Sequence, residues 1–197
     1  IHDLNQASSS SRQKVKVSTD TINKLLTGEK SKTAGLGDIF ISDANGQIIS
    51  SSDQKKIGIV FDSIKDLIKK NKDGQTTNEF ILENNVLKLV AVRSITIQEQ
   101  LLSFVVVERS GDYVLSLFED YVGFGNSFEF ILVNRDKWGN AVFVNPSKFD
   151  QAGPLQKTTP GDDSRYSTTL ALSGQEKRIE DSVDWRGKHV LSATKFI

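Results

Sequence analysis

The spacing of apolar residues changes near residue 35 of the chain. Before that point apolar residues are sparse, and they recur at the spacing of one helical stripe that ends at Gly28. The residues of this stripe are Leu4, Ala7, Val15, Ile22, Leu25 and Leu26. The pattern predicts a long polar helix and a linker over residues 1–34. A disordered tail is the alternative, because a helix this poor in apolar residues needs a partner surface to persist.

A first group of strands with one helix is predicted over residues 35–109. Two alternating runs flank Asp43–Gly46, and the Asn45-Gly46 pair in this turn favours a hairpin because both residues tolerate positive φ. A short amphipathic helix follows, with an apolar face of Phe61, Ile64, Leu67 and Ile68. Three further strands are expected at residues 78–83, 86–95 and 101–108. This order of strand, strand, helix and three strands predicts one antiparallel module.

A second module is predicted over residues 124–197, after a connecting helix at 110–123. Asp43 and Gly46 match Asp136 and Gly139 at a constant offset of 93 residues. A second set of matches, at an offset of 102 residues, pairs Leu89, Ala91, Arg93 and Ile95 with Leu191, Ala193, Lys195 and Ile197. These matches indicate an internal duplication. A chance resemblance between two ordinary antiparallel sheets is the alternative.

The second copy differs from the first in its middle and at its end. It begins with a strand predicted at residues 128–133, but the segment 151–173 is rich in Gly, Pro, Thr and Asp and is expected to be looser than its counterpart. One more strand follows Ile95 in the first copy, and the second copy has no counterpart of it. We therefore expect the second module to lack its last strand, with an open sheet edge that is covered by another chain or disordered.

Composition excludes several classes of function. The 197 residues carry 25 basic and 25 acidic side chains, so there is no basic surplus for an electrostatic nucleic-acid interface. The chain has no Cys, which excludes disulfides, thiol nucleophiles and iron–sulfur clusters. Its longest apolar stretch, Leu101–Val107, is far shorter than the ~20 residues that span a bilayer. Because the sequence begins with Ile1, we expect it to be part of a longer protein.

Catalytic motifs are close to absent. Neither His2 nor His189 has a second ligand at metal-binding spacing, and a strand follows Gly123-Phe124-Gly125 where a phosphate loop would need a helix. We predict no catalytic residue, no metal site and no cofactor, so the chain itself is not expected to be an enzyme. A hydrolase with a carboxylate pair is a distant alternative, since such a pair can come from anywhere in the sequence.

Arg93 is the candidate polar anchor of a ligand pocket. The period of two places Arg93 with Leu89 and Ala91 on one face of its strand and Lys88 on the other. If Lys88 marks the solvent side, Arg93 points inward and could hold a ligand carboxylate with its guanidinium fork. Phe61 and Phe80 are the candidate apolar walls, and the first module is favoured because it is complete. The alternative is that Arg93 reaches solvent or pairs with a protein carboxylate at the strand end.

Several stretches resemble the double Cache, or PDC, sensor domains of prokaryotic transmembrane receptors. The similarity covers nearly the whole chain, although its motifs are turns and strand starts that specify a fold without naming a ligand. The stretches are Ile41–Ser51 with Ile57-Gly58, Phe104–Glu108, Gly123–Asp136 and Asp184–Ala193. The family's amino-acid-binding branch carries Arg, Trp and Tyr in its distal module, and residues 35–108 contain no Trp or Tyr. This departure disfavours an amino acid as the ligand.

The resemblance implies an α+β fold in which a long N-terminal helix precedes two tandem PAS-like modules, the first distal to the membrane and the second proximal. It implies an extracytoplasmic sensor of a small molecule in a membrane-anchored sensor histidine kinase. The candidate ligand, a carboxylate, is inferred from Arg93 and not from the resemblance. A chemoreceptor, a diguanylate cyclase or a dimerisation module that binds no ligand are the alternatives. We expect a weak homodimer through the N-terminal helix and no nucleic-acid partner.

Overall fold

The computed structural model describes residues 19–71, 74–118 and 125–197, and the chain forms two compact units, Ile1–Val114 and Leu115–Ile197. The division falls inside the segment 110–123 that the sequence predicts as a connection. The other predicted domain limits stay predictions. Within the described residues, the predicted fold class is confirmed: an N-terminal helix is followed by antiparallel sheets.

Helix α1, residues 19–32 in the described part of the chain, is attached to the first sheet by a buried asparagine. The Oδ1 atom of Asn23 accepts hydrogen bonds from the Ser50 hydroxyl at 2.6 Å and from the backbone N–H of Ser51 at 2.8 Å. Ser50 and Ser51 belong to a strand at the sheet edge, where backbone groups otherwise lack partners. The predicted helix is therefore present over these residues, and its first part, residues 1–18, lies outside the described residues.

The first unit contains one five-stranded antiparallel sheet. Its strands are β1 Leu36–Ser42, β2 Ile48–Ser51, β3 Thr77–Glu83, β4 Val86–Ile97 and β5 Gln100–Ser110. They lie in the order β2-β1-β5-β4-β3, so the last strand is central and pairs with β1 and β4. The β3–β4 and β4–β5 turns each have two residues at positive φ, Asn84-Asn85 and Gln98-Glu99, as tight two-residue hairpins require.

The core of this unit lies between the sheet and helix α2, Asp62–Lys70. A 3-10 turn, Gln54–Lys56, precedes this helix. The helix buries Ile64, Leu67 and Ile68, which is the stripe that the sequence indicates. At the helix end the buried Asn71 donates a hydrogen bond to the backbone carbonyl of Val92 at 2.7 Å. The sheet contributes Phe40, Ile48, Val90, Val92, Phe104 and Val106 to this core.

Helix α3, Gly111–Ser116, begins the predicted connection, and residues 119–124 lie outside the described residues. Ser110 caps it, because its hydroxyl accepts a hydrogen bond from the backbone N–H of Tyr113 at 3.3 Å. Gly111 is buried against β4, and a Cβ atom there would lie 2.5 Å from the Leu87 side chain. This close approach requires a glycine.

The second unit contains two smaller sheets among its described residues. Its elements are β6 Val133–Arg135, β7 Ala141–Phe143, β8 Thr158–Thr159, α4 Ser167–Leu172, β9 Lys177–Val183 and β10 His189–Thr194. Strands β6, β7 and β8 form one sheet in that order, and β9 pairs with β10 in the other. Helix α4 contacts strands of both sheets. In the first unit β5 joins β1 to β4, whereas the described residues of the second unit hold no strand between β6 and β10.

Two expectations for the second unit are corrected. The strand predicted from Phe128 forms only at Val133–Arg135, because the side chain of Asn145 bonds the backbone N–H of Leu132 and the carbonyl of Phe130 in place of a neighbouring strand. The segment predicted to be loose contains β8 and α4. Helix α4 buries only Thr169 and Leu170, which is too few residues for a helical period to stand out in the sequence.

Strands β6 and β10 should exchange their backbone amides faster than β1 and β4. Each of β1 and β4 pairs on both sides, whereas β6 and β10 each pair on one side. We expect protection in β6 and β10 to be lower by about a hundredfold, since exposed strand edges open at low free energy. Hydrogen exchange read by mass spectrometry or NMR measures it, and equal protection in β4 and β10 would contradict this account of the split sheet.

Candidate ligand-binding site

The face of β4 that the sequence suggests is solvent-exposed lies against the core, and the face that it suggests points inward is the other one. Val90 and Val92 are fully buried against the core, and Lys88 lies on that same face. Arg93 lies on the other face and is exposed. The division into two faces is as expected from the period of two, but the expectation that Lys88 marks the solvent side is wrong. The ammonium group of Lys88 is held by carboxylates over the core, and its side chain is only 18% exposed.

A groove of about 530 Å³ lies along the face that carries Arg93. Its floor is formed by β4 and β5, whose residues Ala91 and Arg93 lie opposite Val107 and Val105. The remaining lining residues are Thr76, Val92, Ser94, Ile95 and Thr96. The groove therefore combines branched apolar side chains with one cationic side chain and a few hydroxyls, which is the usual composition of a small-molecule site.

The Arg93 guanidinium in this groove forms no salt bridge within the described part of the chain, so a ligand carboxylate could pair with it. Ser94 also contributes to the lining, but the period of two places its side chain on the core face with Val90 and Val92. Its hydroxyl is buried there without a hydrogen-bond partner among the described residues, which costs about 1–3 kcal/mol. Ser94 was not singled out in the sequence, and no local pattern distinguishes it from the many other serines of the chain.

The three predicted site residues do not all lie at this groove. Phe80 lies opposite Leu89 on the same sheet face as Arg93, but it is not among the lining residues. Phe61 precedes α2 and packs against the core on the other face, with the Lys56 ammonium 5.6 Å from its ring centroid. The structure thus brings Arg93 to a groove and separates it from the two phenylalanines. A ligand contact by any of the three stays a prediction.

A network of charged side chains lies on the core face of the same sheet. It contains Lys30, Asp38, Lys56, Glu83, Lys88 and Glu108. The Lys56 ammonium is 2.6 Å from Asp38 Oδ2 and 3.1 Å from Glu108 Oε2, and the Lys88 ammonium is 3.2 Å from the same Glu108 oxygen. Glu108 Oε1 is buried and has no hydrogen-bond partner among the described residues. This network links α1, the 3-10 turn and four strands.

Asp38 and Lys56 shift one another's pKa values. Burial alone would raise the pKa of the Asp38 carboxyl, but hydrogen bonds and charge from Lys30 and Lys56 outweigh it and lower that pKa from 3.8 to about 2. Burial would likewise lower the pKa of Lys56, and the carboxylates of Asp38 and Glu108 raise it instead. Both groups are therefore charged at neutral pH.

The sequence offered a weak signal for this network. Glu108 follows Val106 by two residues, so the period of two places it on the buried face of β5, where a carboxylate needs a cation. The cation comes from Lys56 and Lys88, which lie far away in the chain. Among residues 19–71, 74–118 and 125–197 there is no group of three or more His, Asp or Glu residues that could hold a metal ion. In the same residues, every helix is too short or too polar to span a membrane.

Comparisons with known proteins find a similar fold among solved structures. No family model matches the sequence, and no curated protein matches it. The fold is similar to the extracellular domain of rpHK1S-Z16, a protein assigned as a histidine kinase, with a TM-score of 0.57 and 14% identity over 98% of this chain and 80% of that chain. The sensor domain of the V. cholerae histidine kinase DctB gives a TM-score of 0.40 and 16% identity over 58% of this chain. This chain spans 45% of that domain.

Replacing Asp38 with Asn should reduce the fall in the free energy of unfolding that the wild-type protein shows as the pH is lowered. Because the folded pKa of Asp38 lies below its ordinary value, its ionised form stabilises the fold above pH 3.8, and this contribution is lost as the pH falls toward 2. The contribution is about 2 kcal/mol. Urea unfolding between pH 2 and pH 6 should therefore show the wild-type and D38N curves converging at low pH.

Asp66→Asn is the matched control, since Asp66 is exposed on α2 and pairs only with Lys69 in the described contacts. Its curve should run parallel to the wild-type curve. A D38N curve that also runs parallel to wild type over this pH range would show that the ion pairs of Asp38 contribute no stability.

Proposed function

We propose that this chain is the extracytoplasmic sensing region of a transmembrane receptor, with a histidine kinase as its output. The observation that carries the proposal is the fold similarity over 98% of the chain to the extracellular domain of rpHK1S-Z16. The five-stranded sheet with its last strand at the centre is the PAS-like arrangement that the sequence resemblance implies. In this proposal the second unit is proximal to the membrane, and the chain performs no catalytic step of its own.

The ligand is proposed to be a small carboxylate held in the Arg93 groove. A guanidinium with no protein carboxylate beside it can form two parallel hydrogen bonds to a ligand carboxylate. Ala91, Val105 and Val107 offer apolar walls. Because the groove is open and Arg93 is exposed, water screens the ion pair and the affinity should be modest.

Ligand binding would be transmitted through α1. This helix is joined to the sheet by Asn23, by the Thr27 hydroxyl on the Ser52 carbonyl at 3.2 Å, and by the Lys30 ammonium 2.6 Å from Asp38. A ligand can shift the helix only if it binds two arrangements of the unit with different affinity. These polar contacts are the described route by which a change in the sheet reaches the helix.

Small carboxylates should raise the melting temperature of the protein, and Arg93→Gln should abolish the shift. A ligand that binds only the folded state stabilises it by RT ln(1 + [L]/Kd), about 2.7 kcal/mol at a hundredfold excess over Kd. Thermal shift against a panel of mono-, di- and tricarboxylates, with the matching amines and neutral amides, measures it. Arg178→Gln, at an exposed arginine on β9, should leave the shift unchanged.

Three outcomes of that screen count against the carboxylate assignment. Stabilisation by amines alone would contradict the charge of the site, and a shift that survives R93Q would place the ligand elsewhere. A chain that responds to no small molecule would favour the dimerisation module over the sensor. A chemoreceptor or a diguanylate cyclase would share this ligand response, and the full-length protein's activity distinguishes them from a histidine kinase.

The isolated chain should form a weak homodimer through its N-terminal helix. Helix α1 is polar, and Leu25 remains 62% exposed, so little apolar area is available for a stable contact in the described part of the helix. Membrane tethering would strengthen the contact by raising the effective concentration. Sedimentation should show monomer at low micromolar protein and dimer as the concentration rises. A dimer that survives dilution to nanomolar protein, or a strict monomer at millimolar protein, would contradict this expectation.

A further inference from the structure

Two hairpin turns, Asp43–Gly46 and Asp136–Gly139, are built in the same way, and the turn Asp184–Gly187 shares this construction. In the turn Asp43–Gly46 the Asp43 carboxylate accepts hydrogen bonds from the backbone N–H groups of Asn45 and Gln47, both at 2.9 Å. In the turn Asp136–Gly139 the Asp136 carboxylate accepts them from Trp138 at 2.9 Å and Asn140 at 2.8 Å. Each turn ends in a glycine at positive φ. The two residues between the aspartate and the glycine thus contribute to the turn through their backbone and not through their side chains.

The side chains at these middle positions differ sharply between the two turns. The first turn carries Ala44-Asn45 and the second Lys137-Trp138. The Trp138 side chain packs into no core and is 74% exposed, with the Lys137 ammonium 4.3 Å from its ring centroid. Because the first turn forms with Ala and Asn, neither a lysine nor a tryptophan is needed to make the second. An exposed indole at a hairpin tip therefore indicates an interaction outside the unit.

The turn Asp136–Gly139 and the end of β10 are both linked to the region at the end of α4. The Arg135 guanidinium, which leads into the turn, donates to the carbonyl of Leu172 at the end of α4, at 3.1 Å. Three residues further along, the carbonyl of Gln175 accepts a hydrogen bond from the Thr194 hydroxyl at 2.6 Å. We call Lys137 and Trp138 the tip surface.

We propose that the tip surface contacts the lipid bilayer, with Trp138 in the headgroup region and Lys137 beside lipid phosphates. This inference rests on the proposed function, in which the second unit is proximal to the membrane. Trp is the side chain that favours the boundary between water and hydrocarbon, because its ring is large and its N–H remains able to bond. A lysine beside it adds attraction to anionic lipids, about 1 kcal/mol per charge.

The contact is expected to be too weak to bind the free chain and effective once the chain is tethered. The side chains of the tip surface bury little area, whereas tethering raises the effective concentration of the surface. The contact would fix the orientation of the second unit against the membrane. Because the second unit could then not rotate freely, a shift in the sensing unit would move the membrane-spanning segments.

The test uses the chain held by a polyhistidine extension after Ile197 on vesicles of phosphatidylcholine and phosphatidylglycerol that carry a nickel-chelating lipid. Tryptophan emission is compared between wild type and Trp138→Phe, with lipids whose acyl chains are brominated or unbrominated. The second tryptophan, Trp185, is half-buried, and its Nε1–H donates to Glu129 at 3.1 Å, so its emission is the internal background. The double variant K137A/W138N carries the first turn's own residues and should fold as wild type.

We expect the difference spectrum between wild type and W138F to move to shorter wavelength on vesicles and to lose roughly half its intensity with brominated lipid, as an indole at the lipid interface does. Lys137→Ala should reduce the quenching, most strongly in vesicles with phosphatidylglycerol. Equal quenching of wild type and W138F, or quenching of neither, would overturn the proposal, and so would protection of Trp138 only when a second protein is added.

This test is independent of the test of ligand sensing. The ligand-dependent thermal shift is measured on the untethered chain without lipid. A chain that responds to carboxylates but shows no lipid quenching of Trp138 would refute only the bilayer contact. A chain whose Trp138 is quenched by lipid but whose stability responds to no ligand would refute only the sensing function.

Discussion

The pairing of β5 with strands on both of its sides holds the first unit together. One face of β5 contributes Phe104 and Val106 to the core under α2, and the other contributes Val105 and Val107 to the groove. Glu108, next along the core face, is the carboxylate shared by Lys56 and Lys88. The second unit has no such central strand among its described residues. Its strands accordingly form two separate sheets, and α4 contacts both of them.

The buried charges of the first unit limit how its sheet can change. Glu108 is almost fully buried, and removing either lysine would leave part of its charge without compensation, at a cost of about 3–5 kcal/mol for a buried pair. The network therefore favours one arrangement of α1, the 3-10 turn and the central strands. The groove lies on the opposite face of the same strands, so a ligand there can act on the network through the backbone of β4 and β5.

Local patterns in the sequence predicted which helices, strands and turns form better than they predicted which side chains contact one another in the fold. The hairpin turn at Asp43–Gly46 and the stripe of α2 depend on neighbouring residues, and both are found. The direction of Arg93 depends on whether Lys88 is solvated or paired, and its partner Glu108 lies 20 residues away. The groove likewise depends on the pairing of β4 with β5, which no single stretch reveals. Helix α4 was missed because tertiary packing, and not an apolar stripe, stabilises it.

The hydrogen bonds of Asn23 decide what kind of motion α1 can undergo. If the helix slid along or rolled over the first sheet, the Asn23 carbonyl oxygen, the Ser50 hydroxyl and the Ser51 N–H would all lose their partners in a buried place. Each loss costs about 1–3 kcal/mol. The losses together are comparable to the whole binding free energy of a ligand of modest affinity. Helix α1 and the first sheet should therefore move together as one rigid body. Any hinge for this motion should lie outside the stretch from Asn23 to Ser51.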